Sequence, residues 1–368
     1  MKISYGKHSI DKSDIKAVLE ALKSPYLTQG PKVLEFEKAL ASYCGVNYAV
    51  VVSNGTTALH LAYLAAGLKK GDEVITTPNT FVATSNMLIA LGVKPVFCDI
   101  RLDTYNIDES KIEKLITKKT KAIVPVDFAG HPAEIEKIKK IARKLKLLVI
   151  EDAAPALGAI HHGRKIGNIA DLTTFSFHAV KTITTGEGGA ILTNNRKFYE
   201  ALLLLRSHGI TKDKSGFNVM TELGFNYRLT ELQAALGFSQ LKRIEKFIEK
   251  RHQVVGWYEK SFKNQKNIFL PEVLSGNRSA WHIYVIRTKN KKDRMPLYNF
   301  LRENGIGVNF HYVPVHSHPY YHKLGFSKVN LPNTIEYKET AITLPLHVEL
   351  TPKDIKYISQ KIEDFFNK

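Results

Sequence analysis

The sequence predicts an α/β fold with a mainly parallel central sheet flanked by helices, followed by a smaller α+β C-terminal domain. From residue 74 to about 193, short β-rich runs alternate with helical patterns. The runs are continuously apolar rather than alternating, as parallel strands covered on both faces are. At 368 residues, 44% hydrophobic and 24% charged, the chain has the length for two domains and the composition of a folded globular protein.

Taken in order, Asp11 or Ser13 caps a first helix that carries Ile15, Val18, Leu19 and Leu22 on one face. The apolar run at 48–52 leads into a helical pattern opened by Ser53-Asn54-Gly55-Thr56-Thr57. Strands are expected at 74–77, 96–99, 122–126, 147–151 and 172–177. One long helical pattern from about residue 229 to 262 bridges to the second domain. There, residues 281–287 read as a strand, 295–301 as a helix and 351–355 as the start of a terminal helix. The division expected is a large domain at 1–250 and a small one at 251–368.

Fifty-three Lys and Arg against 35 Asp and Glu give a net charge of +18, which favours anionic partners. The lysines are scattered through amphipathic stretches such as 135–145 and mixed with glutamate, the pattern of solvated helix faces. A nucleic-acid-binding regulatory protein would gather basic residues on one groove with aromatics. The N-terminus lacks the apolar core of a signal peptide, and no apolar run approaches membrane-spanning length. Cys44 and Cys98 show no paired spacing. A cytoplasmic protein with neither membrane nor nucleic-acid partner is expected.

In parallel sheets, ligands sit beyond the carboxyl ends of the strands. That rule puts Thr77, Asp127, Asp152, His178 and Lys181 on one rim. Lys181 lies between the apolar run ending Phe175-Ser176-Phe177 and the glycine-rich turn Gly186-Glu187-Gly188-Gly189. An amine withdrawn from water becomes nucleophilic and condenses with an aldehyde such as pyridoxal phosphate. Alone, a strand-end lysine is more often a snorkelling side chain, so other residues must complete a site. Gly55, Thr56 and Thr57 at a helix start suit a phosphate, although an ordinary capped helix has the same signature. Asp152 at a strand end suits the ring nitrogen of pyridoxal phosphate, or a cap. Phe81 suits ring stacking, or a core. Asn226 and Arg228 precede the long helix and suit phosphate or carboxylate, or a helix-start loop.

Read together, these segments resemble the DegT-type sugar aminotransferases, pyridoxal-phosphate enzymes with the aspartate aminotransferase fold. The likeness runs from Leu27-Thr28-Gln29-Gly30-Pro31 through Glu151-Asp152-Ala153-Ala154 and Gly224-Phe225-Asn226-Tyr227-Arg228 to Leu344-Pro345-Leu346-His347. The resemblance implies that Lys181 bonds to the cofactor and moves protons, Asp152 pairs with the ring nitrogen and Phe81 stacks on the ring. It implies that Gly55, Thr56, Thr57 and Ser176 hold the phosphate and that Asn226 comes from a second subunit, hence a homodimer with shared sites. It implies glutamate as amino donor and a nucleotide sugar as acceptor. A dehydratase branch of the family carries histidine in place of the lysine, and Lys181 argues against that branch.

Within the family, the likeness is greatest to pseudaminic-acid-pathway enzymes that aminate C4 of a UDP-linked 4-keto-6-deoxy-N-acetylhexosamine; another 4-keto nucleotide sugar, GDP- or dTDP-linked, is the alternative. Tyr5, Pro25, Tyr26, Leu27, Thr28, His178, Arg228, His311, Tyr312, Val313 and Pro314 are then the substrate candidates, with loop packing as the other reading. Pro155 stands where the family commonly has Gln or His near the cofactor's ring hydroxyl; His178 either serves there or packs behind the site. His311, His316, His318 and His322 match no common metal spacing, and His161-His162-Gly163-Arg164 reads as an exposed turn. No metal is expected.

Overall fold

The computed structural model describes residues 2–367. Its central sheet contains β1 (Tyr48–Val52), β2 (Glu73–Thr76), β3 (Lys94–Phe97), β4 (Thr120–Val124) and β5 (Leu148–Asp152). A short hairpin, β6 (Ile160–His161) and β7 (Arg164–Lys165), precedes the last two members, β8 (Leu172–Ser176) and β9 (Gly189–Thr193). The order is β1-β9-β8-β5-β4-β2-β3, with β9 antiparallel to both neighbours and the other pairings parallel. Six strands therefore end on one rim.

Successive strand residues feed opposite layers. Ala49 and Val51 pack with α2 (Pro31–Cys44) and α5 (Ile135–Lys144), while Val50 and Val52 pack with α3 (Gly55–Ala65) and α4 (Ala83–Ala90). Leu202 of α6 (Arg196–Arg206) joins the second layer. This burial on both faces is why the strands read as continuous apolar runs.

The first helix, α1 (Lys12–Leu22), is capped by Asp11. Its expected core face is largely outward: Ile15, Leu19 and Leu22 are about half exposed, whereas Asp14 and Ala21 are buried. The polar Asp14 is turned inward because Gln240 and Arg243 hold its carboxylate. The long helical pattern is likewise two helices, α7 (Glu231–Leu241) and α8 (Ile244–Phe262). The break falls at Arg243, whose backbone leaves the helical region (φ −113°, ψ 6°) while its guanidinium pairs with Asp11 and Asp14.

Helix α8 joins two cores. Ile244, Phe247 and Ile248 pack under the large sheet, and Val254, Val255, Tyr258 and Phe262 pack in a second cluster. That cluster lies against a small antiparallel sheet of β12 (Ile268–Phe269), β14 (Tyr284–Thr288) and β15 (Ala341–Leu344), with α9 (Arg294–Glu303) and α12 (Pro352–Phe366). The strand expected from residue 281 begins only at Tyr284, because Trp281 has a left-handed backbone (φ 49°). Between these elements lie β13 (Asn277–Arg278), which pairs with β6, and the helices α10 (Pro319–Lys323) and α11 (Pro332–Thr340). An exposed hairpin, β10 (Ile210–Lys212) and β11 (Asn218–Met220), projects after α6. No described helix is long and apolar enough to cross a membrane.

One buried ion pair ties α2, β1 and α6 together. Arg206 donates to Glu37 at 2.5 Å and to the Val51 carbonyl at 2.8 Å, while the Val51 amide donates to Glu37 at 3.0 Å. Burial raises the Glu37 carboxyl pKa and Arg206 opposes that rise. Arg206→Met therefore strands a carboxylate in the interior and is expected to cost about 3–5 kcal/mol in denaturant unfolding. The double variant Glu37→Gln, Arg206→Met is expected to lose less. Equal losses would contradict the stranded-charge account.

Candidate active site

The strand-end rim holds a cleft lined by Thr80, Phe81, Asp152, Ala154, Pro155, Lys181, His282 and Tyr312, among others. Asp152 is the last residue of β5 and is only 4% exposed. Its Oδ2 accepts a 2.7 Å hydrogen bond from the Thr84 hydroxyl, and Oδ1 accepts one from the Ala154 amide at 3.2 Å. Neither donor is a cation, and no described Lys, Arg or His nitrogen lies within salt-bridge distance of it. Burial therefore raises its pKa against the pull of these two bonds and of the more distant Lys181.

Lys181 follows β8 in a tight turn, its amide bonded to the His178 carbonyl at 2.9 Å. The side chain is half-buried, and its Nζ lies 3.4 Å from His282 Nε2. Burial lowers the amine to about 8; Asp152 opposes the fall and Arg251 adds to it. Part of the Lys181 population is thus neutral and nucleophilic near physiological pH.

The helix-start segment lies beside the end of β8. A Cβ added to Gly55 would come 2.9 Å from Ser176 Cβ, and one added to Gly189 would meet the Asn54 carbonyl at 2.5 Å. Only glycines permit this approach. Asn54 caps the helix by accepting from the Thr57 amide at 2.9 Å, and the Thr57 hydroxyl donates back to the Asn54 carbonyl at 2.8 Å. The Thr57 hydroxyl is therefore engaged in the cap. The amides of Gly55 and Thr56 are the first-turn donors beyond reach of the helix's own carbonyls.

Phe81 is 56% exposed at the cleft, an unusual state for a phenylalanine beside a buried carboxylate. Its ring centroid lies 5.9 Å from that of Tyr312. Tyr5 approaches from the N-terminal segment, 5.7 Å from the His311 ring, and its carbonyl accepts from the Leu346 amide at 3.0 Å. His311 is buried, bonded through Nδ1 to Thr343 at 2.9 Å, with its pKa lowered by burial to about 4. Val313 is exposed and Pro314 buried, and the Pro78 carbonyl anchors the following residue, Val315, at 2.9 Å.

Other candidates lie elsewhere on the chain. His178 is exposed, 3.9 Å from Glu187, and does not line the cleft. Arg228 lines a separate cavity with Gln29, Gly30 and Arg206. Asn226 is exposed, in a bridge to Ser207. Pro25, Tyr26, Leu27 and Thr28 are exposed and tied to the start of α7 through the Leu27 carbonyl and a Thr28–Thr230 bridge. His161 is buried rather than in an exposed turn, because β6 inserts it against Asn277 at 2.8 Å; His162 and Gly163 form the hairpin turn. Glu134, His161 and His162 bring ligand-type atoms within 4.8 Å of one another, with Lys137 held on Glu134 at 2.7 Å.

Thr84 and His282 were not singled out from the sequence. Thr84 stands in the same loop-to-helix segment as Phe81, in a first turn, Ala83-Thr84-Ser85-Asn86, whose polar residues do not by type single out the one that meets Asp152. His282 was absorbed into an apparent strand.

The model of the DegT/DnrJ/EryC1/StrS aminotransferase family matches residues 8–363. The chain belongs to that family. Members among its relatives include the UDP-4-amino-4,6-dideoxy-N-acetyl-beta-L-altrosamine transaminase of Campylobacter jejuni (strain 81-176), 40% identical over 100% of this chain and 98% of the relative. GDP-perosamine synthase of Caulobacter vibrioides is 38% identical over 96% and 95% of the two chains. Among solved structures, Helicobacter pylori PseC, an aminotransferase involved in the biosynthesis of pseudoaminic acid, superposes with a TM-score of 0.95 at 37% identity, covering 100% of both chains. The PLP form of a putative sugar aminotransferase from Streptococcus pneumoniae also gives 0.95, at 29% identity, covering 100% of this chain and 99% of that one.

This DegT-family chain is a pyridoxal-phosphate-dependent sugar aminotransferase. The cleft fits that cofactor on its own terms. It holds a buried carboxylate short of a cation, an exposed aromatic face and a depressed amine, and a glycine-shaped helix start lies against Ser176 at the same strand-end rim.

The amine itself is a liability in the cofactor-free protein. Its folded value of about 8 lies below the ordinary 10.5. Below about pH 8 the folded chain carries the charge against burial; the penalty fades between those values and is gone above the higher one. Lys181→Met in the apoprotein is therefore expected to raise unfolding free energy at pH 7 by on the order of 1–2 kcal/mol, with the gain vanishing above about pH 10.5. A variant less stable than the parent at pH 7 would contradict this.

Proposed function

We propose that this aminotransferase transfers an amino group from glutamate to C4 of a UDP-linked 4-keto-6-deoxy-N-acetylhexosamine, as in pseudaminic acid biosynthesis. The observation that carries the reading is end-to-end similarity to PseC, with near-complete coverage of the altrosamine transaminase. The +18 charge supports attraction of an anionic nucleotide. Similarity to GDP-perosamine synthase supports a second reading, a GDP-linked 4-keto sugar.

Pyridoxal phosphate, when bound, supplies an aldehyde carbon for amines and a ring that accepts electrons. Lys181 is the residue that bonds to it covalently. Its Nζ, with a lowered pKa, would be the group that accepts and returns a proton beside the substrate carbon. Asp152 holds a proton on the ring nitrogen, with Thr84 fixing the carboxylate. Phe81 covers one ring face and excludes water. Gly55, Thr56 and Ser176 hold the phosphate, and Thr57 shapes the turn that presents those donors.

Tyr5, His311, Tyr312, Val313 and Pro314 receive the sugar from the side facing Lys181. Asn226, Arg228 and the Pro25-Tyr26-Leu27-Thr28 segment act from a second subunit of a homodimer. Exposed Phe217, Met220 and Leu223 on and after the β10–β11 hairpin, and separately Ile15, Leu19 and Leu22 of α1, are apolar surface that a second subunit would cover. The reaction runs in the cytoplasm.

With glutamate and a panel of UDP-, GDP- and dTDP-linked 4-keto sugars, 2-oxoglutarate release is expected to be greatest with the UDP-N-acetylhexosamine derivative. Turnover confined to GDP-linked sugars would replace the first reading by the second. The loaded protein is expected to absorb in the visible range and Lys181→Ala to lose that band; an unchanged band would remove Lys181 from its role.

A further inference from the structure

His282 is only 5% exposed, and its Nδ1 has no hydrogen-bond partner among the described residues. Buried imidazole nitrogens are ordinarily paired, so this one calls for a reason. Its other nitrogen, Nε2, faces Lys181 Nζ at 3.4 Å.

Backbone contacts aim the ring. The His282 amide donates to the Ala129 carbonyl at 2.8 Å, and the Trp281 and His282 carbonyls accept from Arg251 at 3.0 and 3.1 Å. Trp281 takes a left-handed backbone just before it, and a Cβ on Gly130 would lie 2.9 Å from the amides of both residues. The chain is thus drawn tight against the 129–130 turn and presents the imidazole to the cleft that also holds Pro155. Burial, with Lys181 and Arg251 nearby, keeps the imidazole neutral.

We propose that His282 is a positioning residue for Lys181, its neutral imidazole holding Nζ by a hydrogen bond at the point from which the amine enters the cleft. A neutral imidazole has two tautomers: with Nε2 bare it accepts from the ammonium, and with the proton moved from Nδ1 to Nε2 it donates to the free amine. One side chain therefore holds Lys181 in either protonation state. The charged form gains more from the contact, because charge-assisted hydrogen bonds are the stronger ones. Asp152 from β5, Arg251 from α8, His311 from the segment between α9 and α10 and the more distant His178 also act on this pair, and none of their side chains is bonded to Nζ. This role rests on the reading of Lys181 as the residue that bonds to the cofactor.

The test is the rate at which the visible band grows when apoprotein is mixed with pyridoxal phosphate, followed from roughly pH 6 to 10. For His282→Leu, the midpoint of the rate profile is expected to fall by about one pH unit, because the protonated amine loses its acceptor. The plateau rate at high pH is expected to drop about tenfold, because the free amine loses its orientation. His282→Gln, which keeps a polar atom at similar reach, is expected to recover most of both. His282→Asn is read beside them should the leucine variant not fold, and is expected to show the same two changes.

A midpoint and plateau matching the parent in these variants, with the band still forming, would overturn the positioning role while leaving Lys181 in place. A band that forms unchanged in Lys181→Ala would overturn the proposal together with the reading beneath it.

Discussion

The active site depends on one electrostatic constraint: a carboxylate sealed at the end of a parallel strand with two neutral donors and no counter-ion. Asp152 receives a hydroxyl from Thr84 and an amide from Ala154, and burial still raises its pKa. A buried carboxylate in that condition is stabilised by a cation delivered from outside the chain. A protonated pyridine nitrogen meets that need. On the proposed role of Asp152, the cofactor's electronics and the protein's unsatisfied charge are two sides of one interaction.

The topology brings the remaining groups to that carboxylate. Six strands share a direction, so β5, β8 and the turn after β1 deliver Asp152, Ser176 and the helix start to the same rim. The reversed strand β9 returns Gly189 beneath Asn54, and two glycines let the backbones touch there. Lys181 sits in the excursion between β8 and β9, close enough to Asp152 to feel its charge and buried enough to lose part of its own. The ion pair of Glu37 with Arg206 anchors the edge on which this arrangement leans.

Much of this was legible in the sequence because burial on both faces leaves uninterrupted apolar runs, and strand-end polar residues then stand out. Lys181, Asp152 and the segment at Gly55 were found that way. What local pattern missed has long-range causes. The apolar stripe of α1 read as a core face, yet Asp14 is the side chain turned inward, drawn by Gln240 and Arg243 more than 200 positions away. The same arginine breaks one helical pattern into α7 and α8. His282 hid inside an apparent strand because the left-handed turn at Trp281 leaves no mark in the residue types. Residues 25–28, Asn226 and Arg228 stand apart from the cleft in a single chain, and their sequence signal speaks only to residue type.

The protonation state of the cofactor's ring nitrogen tests the central constraint most directly. With pyridoxal phosphate labelled at that nitrogen with 15N and bound to the intact protein, the chemical shift at neutral pH is expected to be that of a protonated pyridinium, reverting toward the unprotonated value in Asp152→Asn. An unprotonated nitrogen in the parent protein, or a protonated one that persists in the variant, would contradict the account.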